Sequence, residues 1–183
     1  MKSSLKCYES SVKRMMVMFV FAISCGMMFA QDAQKKSFFD NFYAELRTGA
    51  TTKQHNTLQH IWLGSIGYKF NNSLYGFIRT EFIRGIYEKG DDRTHFKSNI
   101  GGLGVGCKVL SLPELSGSLD LQGMIGTNLY DSEMKATVYE MGVVCKIRKG
   151  FTPILGISYR HTNSRTDGIP HFNNVFFSIG MTL

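Results

Sequence analysis

Apolar and polar residues alternate along most of the chain, and residues 175–183 show this most clearly. The odd positions from Val175 to Leu183 are all apolar, whereas the even positions are Phe176, Ser178, Gly180 and Thr182. Successive side chains of a β-strand point to opposite faces, so a period of two indicates a strand with one apolar face. The pattern therefore predicts a final strand that extends to the last residue of the sequence.

Seven earlier segments have the same period. They cover residues 41–49, 57–70, 74–87, 97–110, 115–130, 135–148 and 151–162. Short connections at 71–73, 111–114 and 149–150 alternate with mostly longer polar connections at 50–56, 88–96, 131–134 and 163–173. An even strand count with short turns at one end and longer loops at the other is typical of outer-membrane barrels. We expect an all-β, eight-stranded antiparallel up-and-down transmembrane β-barrel with a periplasmic amino terminus.

Composition indicates which face of the strands points inward. A soluble lipocalin-like barrel also has eight strands, but its exterior is polar. Here the polar face is rich in Gly, Ser and Thr, which suits the narrow lumen of a small barrel. The apolar face carries aromatic residues near strand ends, as at membrane interfaces; these are Tyr68, Phe70, Tyr139, Phe151 and Tyr159. We therefore expect an apolar exterior, with a bulge or the membrane interface at Arg84, which interrupts it.

Charged residues on the inward face predict an ion-pair network in the lumen. They are four acids and six bases: Glu45, Arg47, Lys69, Arg79, Glu81, Lys108, Asp120, Glu140, Lys146 and Arg160. Buried charges need partners, so we expect them to pair. The alternative is a narrow ion-conducting pore with these residues as its filter. On this assignment Leu121→Arg should destabilise the barrel by roughly 2–4 kcal/mol, and Gln122→Arg should cost less if the lumen can accommodate it.

The first thirty residues have the pattern of a secretory signal peptide. Basic residues precede an apolar run from Met15 to Met28, and Ala30 offers a small residue for cleavage. The run is too short for a membrane-spanning helix. Lipoprotein processing at Cys25 is a rival interpretation. We therefore divide the chain into a signal peptide at 1–30 and a barrel domain at 31–183.

Net charge and cysteine content bear on nucleic-acid binding and on disulfide formation. The leader holds four basic residues and one acid, so the net charge of +7 falls to +4 for residues 31–183. That charge, without a basic run, does not predict nucleic-acid binding. Cys107 and Cys145 remain, in the predicted fourth and sixth strands. The intervening strand separates them too widely for a disulfide, so we expect two unbridged, lipid-facing thiols.

Three features together resemble a known family. They are the Met-rich leader ending in Phe29-Ala30-Gln31, the Tyr159-Arg160 pair that leads into residues 164–168, and the final strand. The chain resembles small eight-stranded outer-membrane barrels, the group that contains the membrane domain of outer membrane protein A, and in detail its Bacteroidetes-type members. The final Leu183 departs from the aromatic residue that ends many of them. The resemblance covers roughly residues 38–183 and implies architecture more than activity.

A second, weaker resemblance concerns catalysis. The stretch from Arg160 to Ser164 resembles the active-site region of lipid A 3-O-deacylase barrels, in which a His and a Ser two apart share a strand face. Here Asn163 occupies the position two after His161, and Asn173 or Asn174 occupies the acid position. His161 and Ser164 are therefore weak catalytic candidates, and a kink after Thr162 would be needed to bring them together, with Glu140 as the acid.

Other motifs predict no cofactor or metal. The glycines of the Gly102–Gly106 stretch imitate a dinucleotide-binding loop, but they recur at strand period with no following helix. His161 and His171 are too few for zinc. We expect no cofactor and no metal site.

The sequence thus predicts a non-enzymatic outer-membrane scaffold with a structural or adhesive role. The alternatives are a deacylase-like hydrolase with a degenerate site and a narrow pore. The expected partners are outer-membrane lipids, lipopolysaccharide and the barrel assembly machinery, which would engage the final strand. We expect a monomer.

Overall fold

Eight antiparallel strands form a closed barrel. The computed structural model describes residues 41–54, 56–90, 92–114, 116–130, 132–147 and 152–183. Its strands are β1 Phe42–Thr51, β2 Thr57–Lys69, β3 Leu74–Lys89, β4 Asp92–Leu112, β5 Gly117–Asn128, β6 Ala136–Ile147, β7 Thr152–Ser164 and β8 Phe172–Thr182. Each strand pairs with its neighbour in sequence, and β1 pairs with β8. The predicted all-β, eight-stranded antiparallel up-and-down barrel is confirmed, whereas the predicted signal peptide at 1–30 lies outside the described residues.

The last strand closes the barrel. The β1–β8 register runs from Glu45 opposite Thr182 to Thr51 opposite Phe176. The backbone N–H of Leu183 continues it by donating to the Ala44 carbonyl at 2.8 Å. Closure gives the backbone groups of both strands a partner, so neither is left as an open sheet edge.

The two faces of the wall have inverted polarity compared with a water-soluble protein. Ile66, Ile78 and Leu103 point outward and are 65%, 62% and 63% exposed, whereas Arg79 and Arg160 point inward and are 1% and 0% exposed. Charged residues are almost never fully buried unless they are paired. The predicted assignment of the apolar face to the exterior therefore matches the accessibility of these side chains.

Several strand ends differ from the sequence prediction. Residues 88–96 were expected to form a loop, but β3 reaches Lys89 and β4 begins at Asp92, so the two form a long hairpin. Likewise β7 extends to Ser164, and β8 begins at Phe172 rather than after Asn174. These ends are polar or lack alternation, so a pattern of period two could not locate them.

The predicted bulge at Arg84 is also wrong. Arg84 pairs regularly with His60 on one side and Lys97 on the other, whereas the register shifts in β4 between Lys108 and Leu110. The other option for Arg84, a position at the membrane interface, stays a prediction. No disulfide joins Cys107 of β4 to Cys145 of β6, but Cys107 is buried and Cys145 half-buried, so the expectation of a lipid-exposed thiol at Cys107 is not met.

Apolar side chains, with buried polar residues such as Gln59, Thr162 and Asn174 among them, fill the half of the lumen nearest the β3–β4 hairpin. Its buried members include Ile61, Ile83, Phe96, Ile100, Met134, Val138, Phe172 and Phe176. The lumen therefore has two layers, since this apolar layer lies on the hairpin side of the charged residues described below.

No helix in the described part of the chain is long and apolar enough to cross a membrane.

Two glycines of β4 make room for aromatic rings. A Cβ at Gly104 would lie 2.2 Å from Cζ of Phe77, and a Cβ at Gly106 would lie 2.2 Å from Cζ of Tyr75. The glycines that imitate a nucleotide-binding loop therefore face the lumen, where they allow rings from β3 to lie against the backbone of β4. This close approach explains their spacing of two.

Candidate functional site

The lumen holds eight of the ten charged residues predicted to face it, and contacts among them form two clusters. The eight are Glu45, Arg47, Arg79, Glu81, Asp120, Glu140, Lys146 and Arg160. The remaining two are less buried. The Lys69 ammonium lies 5.7 Å from the centre of the Tyr43 ring, and Lys108 lies half-buried at the β4 bulge.

The first cluster is centred on Glu45 of β1. Its carboxylate is 2.6 Å from the Arg47 guanidinium and 2.7 Å from the Lys146 ammonium. Lys146 is also 3.2 Å from Asp120 of β5. Lys146 of β6 therefore crosses the lumen to join β1 with β5, and each acid of this cluster has a cationic partner.

The second cluster contains two guanidinium groups and two carboxylates. Arg160 of β7 pairs with Glu81 of β3 and, at 3.0 Å, with Glu140 of β6. Arg79 of β3 approaches Glu140 at 3.0 Å and Glu81 at 3.8 Å. The four charges balance, and all four side chains are at least nine-tenths buried.

Gln122 and Tyr75 connect the two clusters. The Gln122 Oε1 accepts from Arg47 at 2.9 Å and from Arg79 at 3.2 Å. Its Nε2 donates to the Tyr75 hydroxyl at 2.9 Å, which in turn donates to Asp120 at 2.9 Å. The sequence prediction missed Tyr75, although it shares the inward face of β3 with Arg79, because only charged residues were considered.

The position of Gln122 bears on the expectation that Gln122→Arg costs less than Leu121→Arg if the lumen can accommodate it, because the surroundings of Gln122 do not meet that condition. A third guanidinium there would lie beside Arg47 and Arg79, which now share the amide oxygen. Like charges at this distance in a buried site repel strongly. Gln122→Arg should therefore be damaging even though the position faces the lumen.

Side chains leave little room in this layer. The cavity among Arg47, Gln122, Glu140 and Ser158 has a volume of about 10 Å³, which is enough for roughly one water molecule. The apolar layer closes the lumen on the hairpin side. This arrangement can hold the strands in register, but it does not favour ion conduction.

His161 and Ser164 lie on opposite faces of β7. The His161 Nδ1 is 2.6 Å from the Asn173 Oδ1 on β8, and its ring centre is 6.1 Å from that of Tyr139. Ser164 is buried on the lumen side with Thr162, and its Oγ accepts from the Thr166 backbone. The β6–β7 register is continuous through Ser164. The kink that could unite the two residues is absent from this described strand.

The described residues contain no group of three or more His, Cys, Asp or Glu side chains that could hold a metal ion.

The proposed catalytic acid does not lie beside His161. His161 points outward, whereas the Glu140 carboxylate forms ion pairs with Arg79 and Arg160. A hydroxyl nucleophile needs a base within hydrogen-bond reach. The geometry of β7 therefore does not favour hydrolysis.

Comparison with known proteins adds a likeness to a solved structure. Neither a protein-family model nor a curated protein matches the chain. Among solved structures, it is similar to the outer membrane protein Ail of Yersinia pestis, determined in a phospholipid bilayer nanodisc. The two are 15% identical, the match covers 77% of this chain and 99% of that chain, and the TM-score is 0.44.

Proposed function

We propose that the chain is an integral outer-membrane β-barrel that serves as a non-enzymatic scaffold for its surface hairpin and loops. The main observation that supports this proposal is the inverted polarity of the wall: Ile66, Ile78 and Leu103 are exposed, whereas Arg79 and Arg160 are buried. Large exposed apolar areas mark contact with protein or membrane, and a closed barrel satisfies its backbone without water. A bilayer around the wall accounts for both properties.

The ion-pair network supports a structural role for the lumen. It joins β1, β3, β5, β6 and β7 through side chains with balanced charge. A network that spans the lumen fixes strands that do not touch each other through backbone pairing. Together with the apolar layer, it makes the barrel a rigid support.

The long β3–β4 hairpin is the element that this support presents. Its end carries the Lys53–Glu88 and Arg93–Glu88 ion pairs, the second at 3.2 Å. The hydrogen bond from Lys53 lowers the pKa of Glu88. In the proposed orientation, with the amino terminus in the periplasm, this charged hairpin faces the cell exterior, where it can contact an adhesion partner.

The proposed partners follow from the same surfaces. Membrane lipids, including lipopolysaccharide, surround the apolar wall, the assembly machinery engages β8, and the protein is a monomer. Purified protein refolded into lipid vesicles should run faster on a gel before boiling than after, because a closed barrel resists detergent. Equal mobility of a verified folded sample would contradict the barrel proposal.

A further inference from the structure

A row of basic side chains crosses the outside of the wall near the β3–β4 hairpin. His60 of β2 is the cross-strand partner of Arg84 of β3, and Arg84 is the partner of Lys97 of β4. All three side chains are exposed. Like charges directly opposite each other in a sheet repel, so an anion between Arg84 and Lys97 would relieve this repulsion.

Acidic residues balance the row incompletely. Glu133 lies at one end, where its carboxylate accepts a hydrogen bond from the Lys97 backbone N–H at 2.7 Å. Glu88 is engaged by Lys53 and Arg93 at the hairpin end. The row therefore favours a negatively charged ligand.

Aromatic rings hold the row at the upper border of the apolar wall. The Arg84 guanidinium lies 5.6 Å from the Trp62 ring centre and 5.4 Å from that of Phe82. The His60 and Trp62 ring centres are 4.2 Å apart. Cations over aromatic faces are stabilised electrostatically, so the Arg84 guanidinium lies along the wall at the border of the apolar surface.

An open groove lies directly below the row. Its volume is about 820 Å³, and its outward lining includes Leu46, Trp62, Thr80, Phe82, Leu129 and Ile179. The groove is open along the wall rather than enclosed. Trp62 and Phe82 form the border between the cationic row and the groove, so a single ligand could occupy both.

We propose that this surface binds one phosphorylated membrane lipid, with its phosphate at Arg84, Lys97 and His60 and an acyl chain in the groove. The proposal rests on the proposed membrane insertion of the barrel and deepens it by locating a specific lipid contact. Charge complementarity is the reason for choosing an anionic lipid as the ligand, since clusters of Arg and Lys beside an apolar membrane surface recognise anionic headgroups. The adjoining apolar groove favours a lipid over free phosphate.

Trp62 gives a direct probe, because it is the chain's single tryptophan and borders the site. The protein is folded into bilayers that contain phosphatidylglycerol or phosphatidylcholine with brominated acyl chains, and quenching of Trp62 fluorescence is measured. We expect stronger quenching by the anionic lipid. In Arg84→Gln/Lys97→Gln the relative preference for phosphatidylglycerol should fall by roughly fivefold for each removed cation.

Arg93→Gln/Lys135→Gln is the matched control, because it removes two exposed cations outside the row. It should keep the lipid preference. Gly64→Leu tests the groove, since a Cβ there would lie 3.6 Å from its nearest neighbour; it should reduce quenching by both lipids. Inorganic phosphate should not displace the lipid, and displacement by phosphate alone would overturn the proposal.

A wild-type protein that quenches equally with both lipids would overturn the inference, as would a preference that survives in Arg84→Gln/Lys97→Gln. Unchanged quenching in Gly64→Leu would also contradict it. Every sample is first checked for heat-modifiable mobility. Failure of the wild type to fold into bilayers would instead contradict the proposed function itself.

Discussion

Individual residues determine how the narrow lumen is filled. Alternation in the sequence was enough to predict that Arg79, Glu140 and Arg160 face inward, because the side of a strand follows from its period. It could not identify the partners, since contacts across the lumen depend on the barrel's register. Tyr75 and Gln122 were missed as connectors for this reason, and the close contact of Gly104 with Phe77 is equally nonlocal.

Gly104→Ala tests the contact between glycine and ring. The new Cβ would lie 2.2 Å from Phe77 and 2.7 Å from the Gly123 carbonyl oxygen, so we expect a loss of about 1–3 kcal/mol in unfolding free energy from overpacking. Urea titration in lipid vesicles measures it. Gly123→Ala is the control, because its nearest neighbour would be 4.0 Å away. Equal stability of the two variants would show that the ring has room to move.

Glu140→Gln tests the charge balance of the lumen. It removes the carboxylate that lies 3.0 Å from both Arg79 and Arg160, and breaking a buried ion pair from one side costs about 3–5 kcal/mol. The free energy of unfolding should fall accordingly. The half-buried Glu88→Gln should change it little, since an ion pair with the exposed Lys53 and Arg93 contributes little. If both variants unfold like the wild type, the network does not stabilise the barrel.

At the scale of the strands, the eight elements were predictable but several of their ends were not. The half-buried part of a strand has a period of two, whereas the Asp92–Phe96 part of β4 projects beyond the apolar wall and has no such period. The last residues of β7 were not predicted as strand for the same reason, because they also lack a period of two. That error mattered for function, because placing Ser164 outside the strand left its face undefined.

The regular course of β7 predicts that the wild-type protein does not deacylate lipid A. His161 points outward and Ser164 inward, and Asn163 supplies no nucleophilic oxygen. Mass spectrometry of lipid A from expressing cells checks this. Loss of an acyl chain that disappears in both His161→Ala and Ser164→Ala would show that the two residues cooperate despite their separation.

The whole molecule combines a lipid-compatible exterior with a filled lumen. The charged layer and the apolar layer leave a cavity of only about 10 Å³ beside Arg47 and Gln122. We therefore predict no stepwise ion currents in planar bilayers that contain the folded protein. Reproducible steps whose size rises with salt concentration would instead support the pore alternative.

The central claim is that the apolar face contacts lipid, and Ile78→Arg tests it most directly. Ile78 is 62% exposed on the wall, whereas Thr94 is exposed near the hairpin end and Thr94→Arg provides the control. Arginine near the middle of a bilayer costs about 2–4 kcal/mol, while an exposed surface substitution in water changes stability by less than about 0.5 kcal/mol. The measurement is the free energy of unfolding from lipid vesicles. The account predicts a loss of about 2–4 kcal/mol for Ile78→Arg and none for Thr94→Arg; equal stability of the two variants would contradict it.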